Sequence, residues 1–118
     1  MAQHIEYGKQ GEEMAEKYLL QKGFSILYRN WRDSRYEIDI VAIKNEQLHF
    51  VEVKFRSSRY FGLPEENVTK EKIKCLLKAA NAFMYRNSQY KDFRIDILSI
   101  TQYPNTEAEY FFIEDIYL

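Results

Sequence analysis

Two segments in which apolar and charged residues alternate, joined by a short polar turn, constrain the fold of this chain more than any other feature. The segments are Glu37–Ile43 and Leu48–Phe55, and Lys44–Gln47 lies between them. Such alternation predicts two β-strands, and so short a connection predicts that they pair as an antiparallel hairpin. We expect the turn to be centred on Asn45 and Glu46.

This register sorts the hairpin residues by chemistry, because side chains alternate between the two faces of a strand. One face carries three opposed pairs, Asp39 with Glu52, Glu37 with Lys54 and Val41 with Phe50. The other is almost entirely apolar, with Ile38, Ile40 and Ala42 opposite Val53, Val51 and His49. We expect the apolar face to be core, with His49 a satisfied core residue rather than a base. A three-residue turn would shift the register and separate Asp39 from Glu52.

The opposed acids Asp39 and Glu52 indicate a metal site. Like charges facing each other destabilise a hairpin unless something positive lies between them, and their Cβ atoms are expected to be roughly 4.5–5.5 Å apart. Two such carboxylates can share Mg²⁺ or Mn²⁺, which prefer oxygen ligands. Lys54 lies beside Glu52, where its ammonium can orient or deprotonate the attacking water in metal-assisted phosphodiester hydrolysis. The alternative is a solvated strand face with an ordinary Glu37–Lys54 ion pair.

A helix predicted over residues 4–22, ending at Gly23, offers a further acid. Gly8 and Gly11 lie inside it, although each costs roughly 1 kcal/mol relative to Ala. With Ala15 they form a smooth ridge suited to close approach of another backbone. Glu12 belongs to this ridge and can supply a third carboxylate to the metal site. Its alternative role is that of a surface residue in salt-bridge range of nearby lysines.

The remaining elements complete the order α-β-β-β-α-β-β. Residues 24–29 predict a strand, 30–36 a loop, and 56–68 a second loop. A second helix begins near Asn67 or Thr69, either of which can cap it. Its apolar stripe comprises Ile73, Leu76, Leu77, Ala80, Phe83 and Met84. Strands are predicted over 93–100 and 109–117, which together give an α/β fold with a central mixed sheet flanked by helices.

Composition limits the class of protein. A chain of 118 residues with a net charge of −1 suits one domain, here residues 1–118, with no overall pull toward nucleic acid or membrane. A single cysteine excludes an intramolecular disulfide, and with two distant histidines it cannot form a structural zinc site. The polar N-terminus and short apolar runs predict no signal peptide or membrane span. We therefore expect a soluble cytoplasmic protein.

Local charge is nonetheless uneven. Residues 54–78 hold seven basic and three acidic side chains, whereas residues 89–118 hold two basic and six acidic ones. Arg32, Arg56 and Lys72 flank the hairpin in sequence and are expected to hold phosphates. Trp31, Tyr60 and Phe61 can stack on unpaired bases, although packing is the commoner role of such residues. Lys70, Lys74 and Lys78 form a separate helical stripe, and Cys75 is expected to be a small buried residue.

At these residues the sequence resembles the YraN-like family, UPF0102, over roughly residues 8–96. The matching pieces are Gly8-Lys-Gln-Gly-Glu12 with Ala15, Gly23-Phe24, Arg29-Asn-Trp-Arg32, Glu37-Ile-Asp39, Phe50-Val-Glu-Val-Lys54 with Arg56, Val68-Thr69 with Lys72, and Arg94-Ile-Asp96. The family in turn resembles the PD-(D/E)xK superfamily of restriction-endonuclease-like and Holliday-junction-resolvase-like folds. One departure is Tyr36, where the family usually has a glycine that allows positive φ or close approach of DNA.

The resemblance implies a restriction-endonuclease-like fold with catalytic residues at Asp39, Glu52 and Lys54 and an added acid at Glu12. It also implies Mg²⁺ or Mn²⁺ held by Asp39 and Glu52, a nucleic-acid partner with DNA preferred over RNA, and a homodimer as in resolvase-like proteins. The predicted function is that of a metal-dependent endonuclease acting on branched or processed DNA. The alternatives are a non-catalytic nucleic-acid-binding module and a protein-interaction module that retain the fold.

Overall fold

The computed structural model describes residues 2–56 and 69–116, with side chains from residue 9 onward. Its elements are α1 (Ala2–Gln21), β1 (Ser25–Asp33), β2 (Tyr36–Lys44), β3 (Gln47–Arg56), α2 (Lys70–Arg86), β4 (Phe93–Thr101) and β5 (Glu109–Ile113). The strands form one five-stranded sheet in sequence order, with β3 and β4 parallel and the other neighbours antiparallel. The predicted α/β class, element order and mixed sheet are confirmed.

The parallel pair β3 and β4 explains the position of α2. Parallel neighbours cannot be joined by a tight turn and need a crossover connection, which here contains α2. The helix is capped by Thr69, whose side-chain oxygen accepts a hydrogen bond from the backbone N–H of Lys72 at 3.1 Å. The alternative cap, Asn67, and the loop residues 57–68 lie outside the described part of the chain.

Both faces of the sheet are covered, which corrects the expectation of one core face and one polar face. Beneath α1 lies one buried cluster, which includes Ala15, Leu19, Ile40, Ala42 and Val51. Beneath α2 lies another, which includes Val41, Phe50, Leu76, Ala80 and Phe83. The face that carries Asp39 and Glu52 is therefore apolar near the hairpin turn, and its acids lie at the far end of the ladder.

The β2–β3 register is the predicted one. Cα partners run from Ile40 with Val51 to Lys44 with Gln47. Between them lies a two-residue turn in which Asn45 has φ 52° and Glu46 has φ 65°. Positive φ at both central residues is the geometry of the hairpin turn that matches the twist of paired strands. The turn therefore sets the register on which the position of Asp39 relative to Glu52 depends.

The strand alternation fails at one predicted core residue, Ile38. This side chain packs in the cluster beneath α2, with Val41 and Phe50, rather than with Ile40 beneath α1. Pairing between β2 and β3 ends at Ile40, so that Ile38 pairs only with Trp31 of β1. The regular alternation of one ladder does not extend past the point where that ladder stops.

Strand β1 is longer than predicted and includes residues 30–33 of the expected loop. Asn30 adopts a left-handed conformation with φ 54°, within an otherwise extended strand that continues to Asp33. Beyond this residue Trp31 packs edge-on against Phe83, with ring centroids 5.2 Å apart. Trp31 is therefore a packing residue, whereas Tyr60 and Phe61 lie outside the described residues.

Close approach of α1 to the sheet is confirmed at Gly11. A Cβ placed on Gly11 would lie 2.7 Å from the Cβ of Phe55 on β3, which is too close for any side chain without a shift. Ala15, one turn further along the same side of α1, is completely buried. The small residues therefore bring α1 against β3, and Glu12 comes with them.

His49 is a satisfied buried residue, as predicted. Its Nδ1 lies 2.6 Å from Oδ2 of Asp96, and the other oxygen of Asp96 accepts a hydrogen bond from the backbone N–H of Asp115. The pair joins β3, β4 and the segment after β5.

None of the described helices has the length and apolar character needed to cross a bilayer.

The hairpin turn yields a stability prediction. Glu46→Gly relieves a left-handed conformation that costs a residue with a Cβ about 1 kcal/mol, so this variant is expected to melt at a higher temperature than the parent chain. Glu46→Ala is the matched control, because it removes the same carboxylate and keeps the Cβ. Equal melting temperatures for the two variants, measured by circular dichroism, would contradict the assigned turn.

Candidate active site

Asp39 lies just beyond the last paired residues of β2 and β3. Its Oδ2 accepts a hydrogen bond of 2.8 Å from the backbone N–H of Val53 on the neighbouring strand. The carboxylate thus bonds to the β3 backbone two residues beyond Val51, the last β3 residue that pairs with β2. This contact holds Asp39 next to Glu52, whose residue is only 8% exposed.

Asp39 and Glu52 line the same cleft, and the pKa of Asp39 is raised there from 3.8 to about 7. Burial is the largest cause, because it disfavours the charged form, and the negative charge of Glu52 is the next. The hydrogen bond from Val53 acts in the opposite direction, and the charges of Glu12 and Glu37 add smaller increases. Burial and neighbouring negative charge therefore shift the titration of Asp39 toward neutral pH.

Glu52, by contrast, has two lysines on one of its oxygens. Lys72 of α2 places Nζ 2.8 Å from Oε1, and Lys54 of β3 places Nζ 3.7 Å from the same atom. Helix α2 supplies the shorter contact from its first turn, which the side chain of Thr69 caps. Two acids and two lysines from three elements therefore meet at one place in the fold.

The two lysines differ in how firmly they hold their protons. Burial lowers the pKa of Lys54, and the charge of Lys72 lowers it further, against the opposing attraction of Glu52. Burial also acts to lower the pKa of Lys72, but its hydrogen bond and charge attraction to Glu52 outweigh this effect and raise it. Lys54 is accordingly the better proton acceptor, and Lys72 is the more permanent cation.

Asp39, Glu52 and Lys72 border an open cleft of about 500 Å³ between the sheet and α2. Its wall combines acids with three basic residues and is lined by Arg35, Tyr36, Glu37, Asp39, Glu52, Lys72, Cys75, Leu76 and Lys78. Tyr36 begins β2 and is not among the residues with positive φ, so the backbone there accommodates a side chain.

Glu12 approaches the acid pair but is engaged elsewhere. Its Oε2 accepts a hydrogen bond of 2.9 Å from Nδ2 of Asn30 and lies 3.6 Å from the guanidinium of Arg29. Within residues 2–56 and 69–116, no three His, Cys, Asp or Glu side chains are close enough together to hold a metal ion. The two carboxylates available to share an ion are thus those of Asp39 and Glu52. Glu12 is held by Asn30 and Arg29 and acts on Asp39 only through its charge.

Glu37 does not contact Lys54, which corrects the predicted cross-strand pair. Its Oε1 lies 3.3 Å from Nη2 of Arg32 instead. The reason is that β2 leaves β3 at Ile40 and from there pairs only with β1, where Arg32 is the register partner of Glu37. Arg32 itself is well exposed, with 71% of its side chain accessible.

Two further basic residues have contrasting positions. Arg56 is buried at the end of β3, with 9% of the residue exposed, and lies away from open surface. Lys78, expected on a separate stripe, lines the cleft together with Lys72. The sequence spacing could have predicted that Cys75 and Lys78 lie on the same face of the helix as Lys72, because residues three positions apart share a helix face.

Cys75 is exposed, which corrects the expectation of a buried residue. It follows Lys72 along the same face of α2 and borders the cleft beside Leu76. Cys75 therefore lies beside the buried residue Leu76 and not within the apolar stripe. An exposed thiol at this position offers a place to attach a probe next to the acid pair.

The raised pKa of Asp39 predicts a specific pH dependence of stability. Because the pKa is higher in the folded than in the unfolded chain, the stability that it contributes is complete below pH 3.8 and is lost as the pH rises to about 7. Asp39→Asn cannot ionise, so in the presence of a metal chelator it is expected to melt about 3 °C or more above the parent chain at pH 8.

The two melting temperatures are expected to converge between pH 5 and pH 4. Glu107→Gln is the control, because Glu107 is exposed and lies far along the chain from the cleft. A gap between the parent chain and Asp39→Asn that does not change with pH would contradict the raised pKa.

Comparison with known proteins identifies the family. The family described as "Uncharacterised protein family UPF0102" matches residues 11–100. A UPF0102 protein of Phocaeicola vulgatus is 42% identical over 100 residues, covering 85% of this chain and 83% of the relative. A second from Bacteroides thetaiotaomicron is 47% identical over 97 residues, covering 82% and 75%, and a third from Flavobacterium psychrophilum is 43% identical over 100 residues, covering 85% and 84%. The predicted resemblance to UPF0102 is confirmed, and the chain belongs to this uncharacterised family.

Proposed function

We propose that this protein binds nucleic acid, DNA in preference to RNA, and hydrolyses its phosphodiester bonds with Mg²⁺ or Mn²⁺ on a restriction-endonuclease-like fold. The observation that carries the proposal is the pair of facing acids, Asp39 and Glu52, with two lysine ammonium groups beside it. A domain that only bound a polyanion would gain nothing from carboxylates aimed at the phosphates.

The acid pair fits a hard divalent cation. Both side chains offer carboxylate oxygens, the ligands that Mg²⁺ and Mn²⁺ prefer, and each ion keeps further positions for waters or phosphate oxygens. The mutual repulsion that raises the pKa of Asp39 is the kind that a shared cation relieves. When bound, the ion would supply Lewis-acid stabilisation of the negative charge that develops on the phosphate.

Lys54 is the proposed general base. Its Nζ lies 3.7 Å from Glu52, so a water held by that carboxylate is within its reach. Burial lowers the pKa of Lys54, which raises the fraction of neutral amine able to take a proton. We assign it the role of orienting the attacking water and accepting its proton.

The basic wall of the cleft is the proposed phosphate surface. Lys72, Lys78 and Arg35 border the cleft, and Arg32 is exposed near its rim. Arg56 is not part of this surface, because it is buried. The nearly neutral charge of the whole chain is consistent with this arrangement, because residues 89–118 hold six acidic side chains and only two basic ones. Binding to such a surface depends strongly on salt concentration.

A non-catalytic nucleic-acid-binding module is the second candidate. The observation that favours it is the Lys72–Glu52 contact of 2.8 Å, in which a lysine already neutralises one of the two acids. In that case the acid pair stabilises the domain and the basic residues alone bind nucleic acid. The two candidates differ in whether Mn²⁺ binds.

Calorimetric titration with Mn²⁺ distinguishes them. The parent chain is expected to bind one ion, and Asp39→Ala is expected to bind it at least about tenfold more weakly, because one of two carboxylate ligands is missing. Glu107→Gln is the control and is expected to titrate like the parent. Absence of Mn²⁺ binding by the parent chain would remove the catalytic proposal.

Cleavage of labelled substrates tests the reaction itself. Single-stranded, flapped and branched DNA and a matched RNA are incubated with Mg²⁺ or Mn²⁺, and Lys54→Met is expected to lower the rate by about 100-fold or more, the scale of a general base. DNA binding by the same variant, followed by fluorescence anisotropy, is expected to change little. Metal and DNA binding without cleavage of any substrate would favour the non-catalytic candidate.

A further inference from the structure

The two acids of the site are unequally neutralised. Lys72 and Lys54 both approach Oε1 of Glu52, at 2.8 Å and 3.7 Å. Among the described residues, no lysine or arginine lies within hydrogen-bonding or salt-bridge distance of Asp39, whose carboxylate accepts a hydrogen bond from the backbone N–H of Val53. The positive charge in the site is thus concentrated on one of the two carboxylates, that of Glu52.

Lys72 reaches Glu52 from a position that also faces the cleft. Its backbone is fixed by the Thr69 cap, but its side chain is 37% exposed and reaches the acid through a flexible four-carbon stem. Lys72 and Lys78 line the same cleft. Because the stem is flexible, rotation about its bonds gives the ammonium a route from Glu52 into this cleft without a movement of the α2 backbone.

A cation that contacts both acids would compete with Lys72 for Oε1. The lysine makes one strong contact, whereas a divalent ion between the carboxylates gains the charge of Asp39 as well. Against this, the ion meets the repulsion of a positive charge only a few ångströms away unless that charge leaves. Metal entry and departure of Lys72 from Glu52 are therefore linked.

We propose that Lys72 is a tethered competitor of the metal ion, which neutralises Glu52 in the metal-free protein and is released into the cleft to bind a nucleic-acid phosphate when the ion enters. This inference rests on the proposed function and adds its regulation. Coupling between two ligands is reciprocal, so phosphate that captures the Lys72 ammonium must also raise the affinity of the acid pair for the metal. The protein would then acquire its full metal affinity only with nucleic acid in the cleft.

Mn²⁺ titration of Lys72 variants tests this exchange. Lys72→Met is expected to bind Mn²⁺ about tenfold more tightly than the parent chain, because the competitor is gone. Lys72→Arg retains a cation that can pair with Glu52 and is expected to bind no more tightly than the parent. Lys78→Met is the matched control, because it removes a positive charge from the same helix and cleft without removing the Glu52 contact. Its affinity is expected to stay within about twofold of the parent.

Acylation of the lysine amines provides a readout that does not depend on affinity. Brief treatment with an acetylating ester, followed by mass spectrometry, is expected to modify Lys72 severalfold faster with saturating Mn²⁺ than with chelator. Lys78 is expected to react equally under both conditions. Thermal melting of each variant in chelator confirms that it is folded.

The outcomes separate this inference from the proposed function. Equal Mn²⁺ affinity for the parent, Lys72→Met and Lys78→Met would overturn the competitor role and leave the metal site standing. Binding by Lys72→Met but not by the parent would support the competitor role most strongly. Absence of binding in every variant, including Lys72→Met, would overturn both.

Discussion

The pairing of β2 with β3 is the constraint on which the rest of the site depends. A two-residue turn with positive φ at Asn45 and Glu46 fixes the register from Lys44–Gln47 to Ile40–Val51. A slip of one residue would turn every side chain of one strand to the opposite face. Asp39 and Glu52 would then be separated by the sheet itself, and no arrangement of lysines could bring them together.

The β2–β3 ladder ends at the position where the candidate site begins. Beyond Ile40 the strand β2 leaves β3, and the bond that continues the connection is made by the side chain of Asp39 to the backbone of Val53. This side-chain hydrogen bond holds Asp39 in a half-buried position next to Glu52. Burial and the charge of Glu52 raise the pKa of Asp39 to about 7. Local structure alone would not favour such an arrangement, since burial and like charge both oppose it. Sites that break local rules in this way are where function is concentrated.

The features that depend on short-range patterns could be predicted from the sequence. The hairpin register follows from the turn, and α2 follows from its apolar periodicity and Thr69. The close packing of α1 follows from small residues such as Gly11, whose Cβ would collide with Phe55. The proximity of Asp39 and Glu52 could be anticipated from the register, because both residues come directly after the last pair of the ladder, Ile40 with Val51.

The features that depend on where strand pairing stops could not be predicted from the sequence. Ile38 and Glu37 were assigned by extending the β2–β3 alternation, but both lie past its end and pair with β1 instead. The extension of β1 through Asn30 depends on one left-handed residue, which the sequence around it does not demand. Lys72 illustrates the same limit, because its contact with Glu52 arises only when the crossover brings α2 over β3. The burial of both sheet faces has the same origin.

The central claim is that Asp39 and Glu52 together form one cation site. Paramagnetic broadening of backbone amide signals by substoichiometric Mn²⁺ tests it most directly, because broadening falls off steeply with distance from the bound ion. We predict that the amides of Asp39, Glu52 and Val53 broaden first, while those around the acidic segment at Glu114 and Asp115 keep their intensity. Broadening that starts in the acidic C-terminal segment, or that spreads evenly over exposed carboxylates, would contradict the claim.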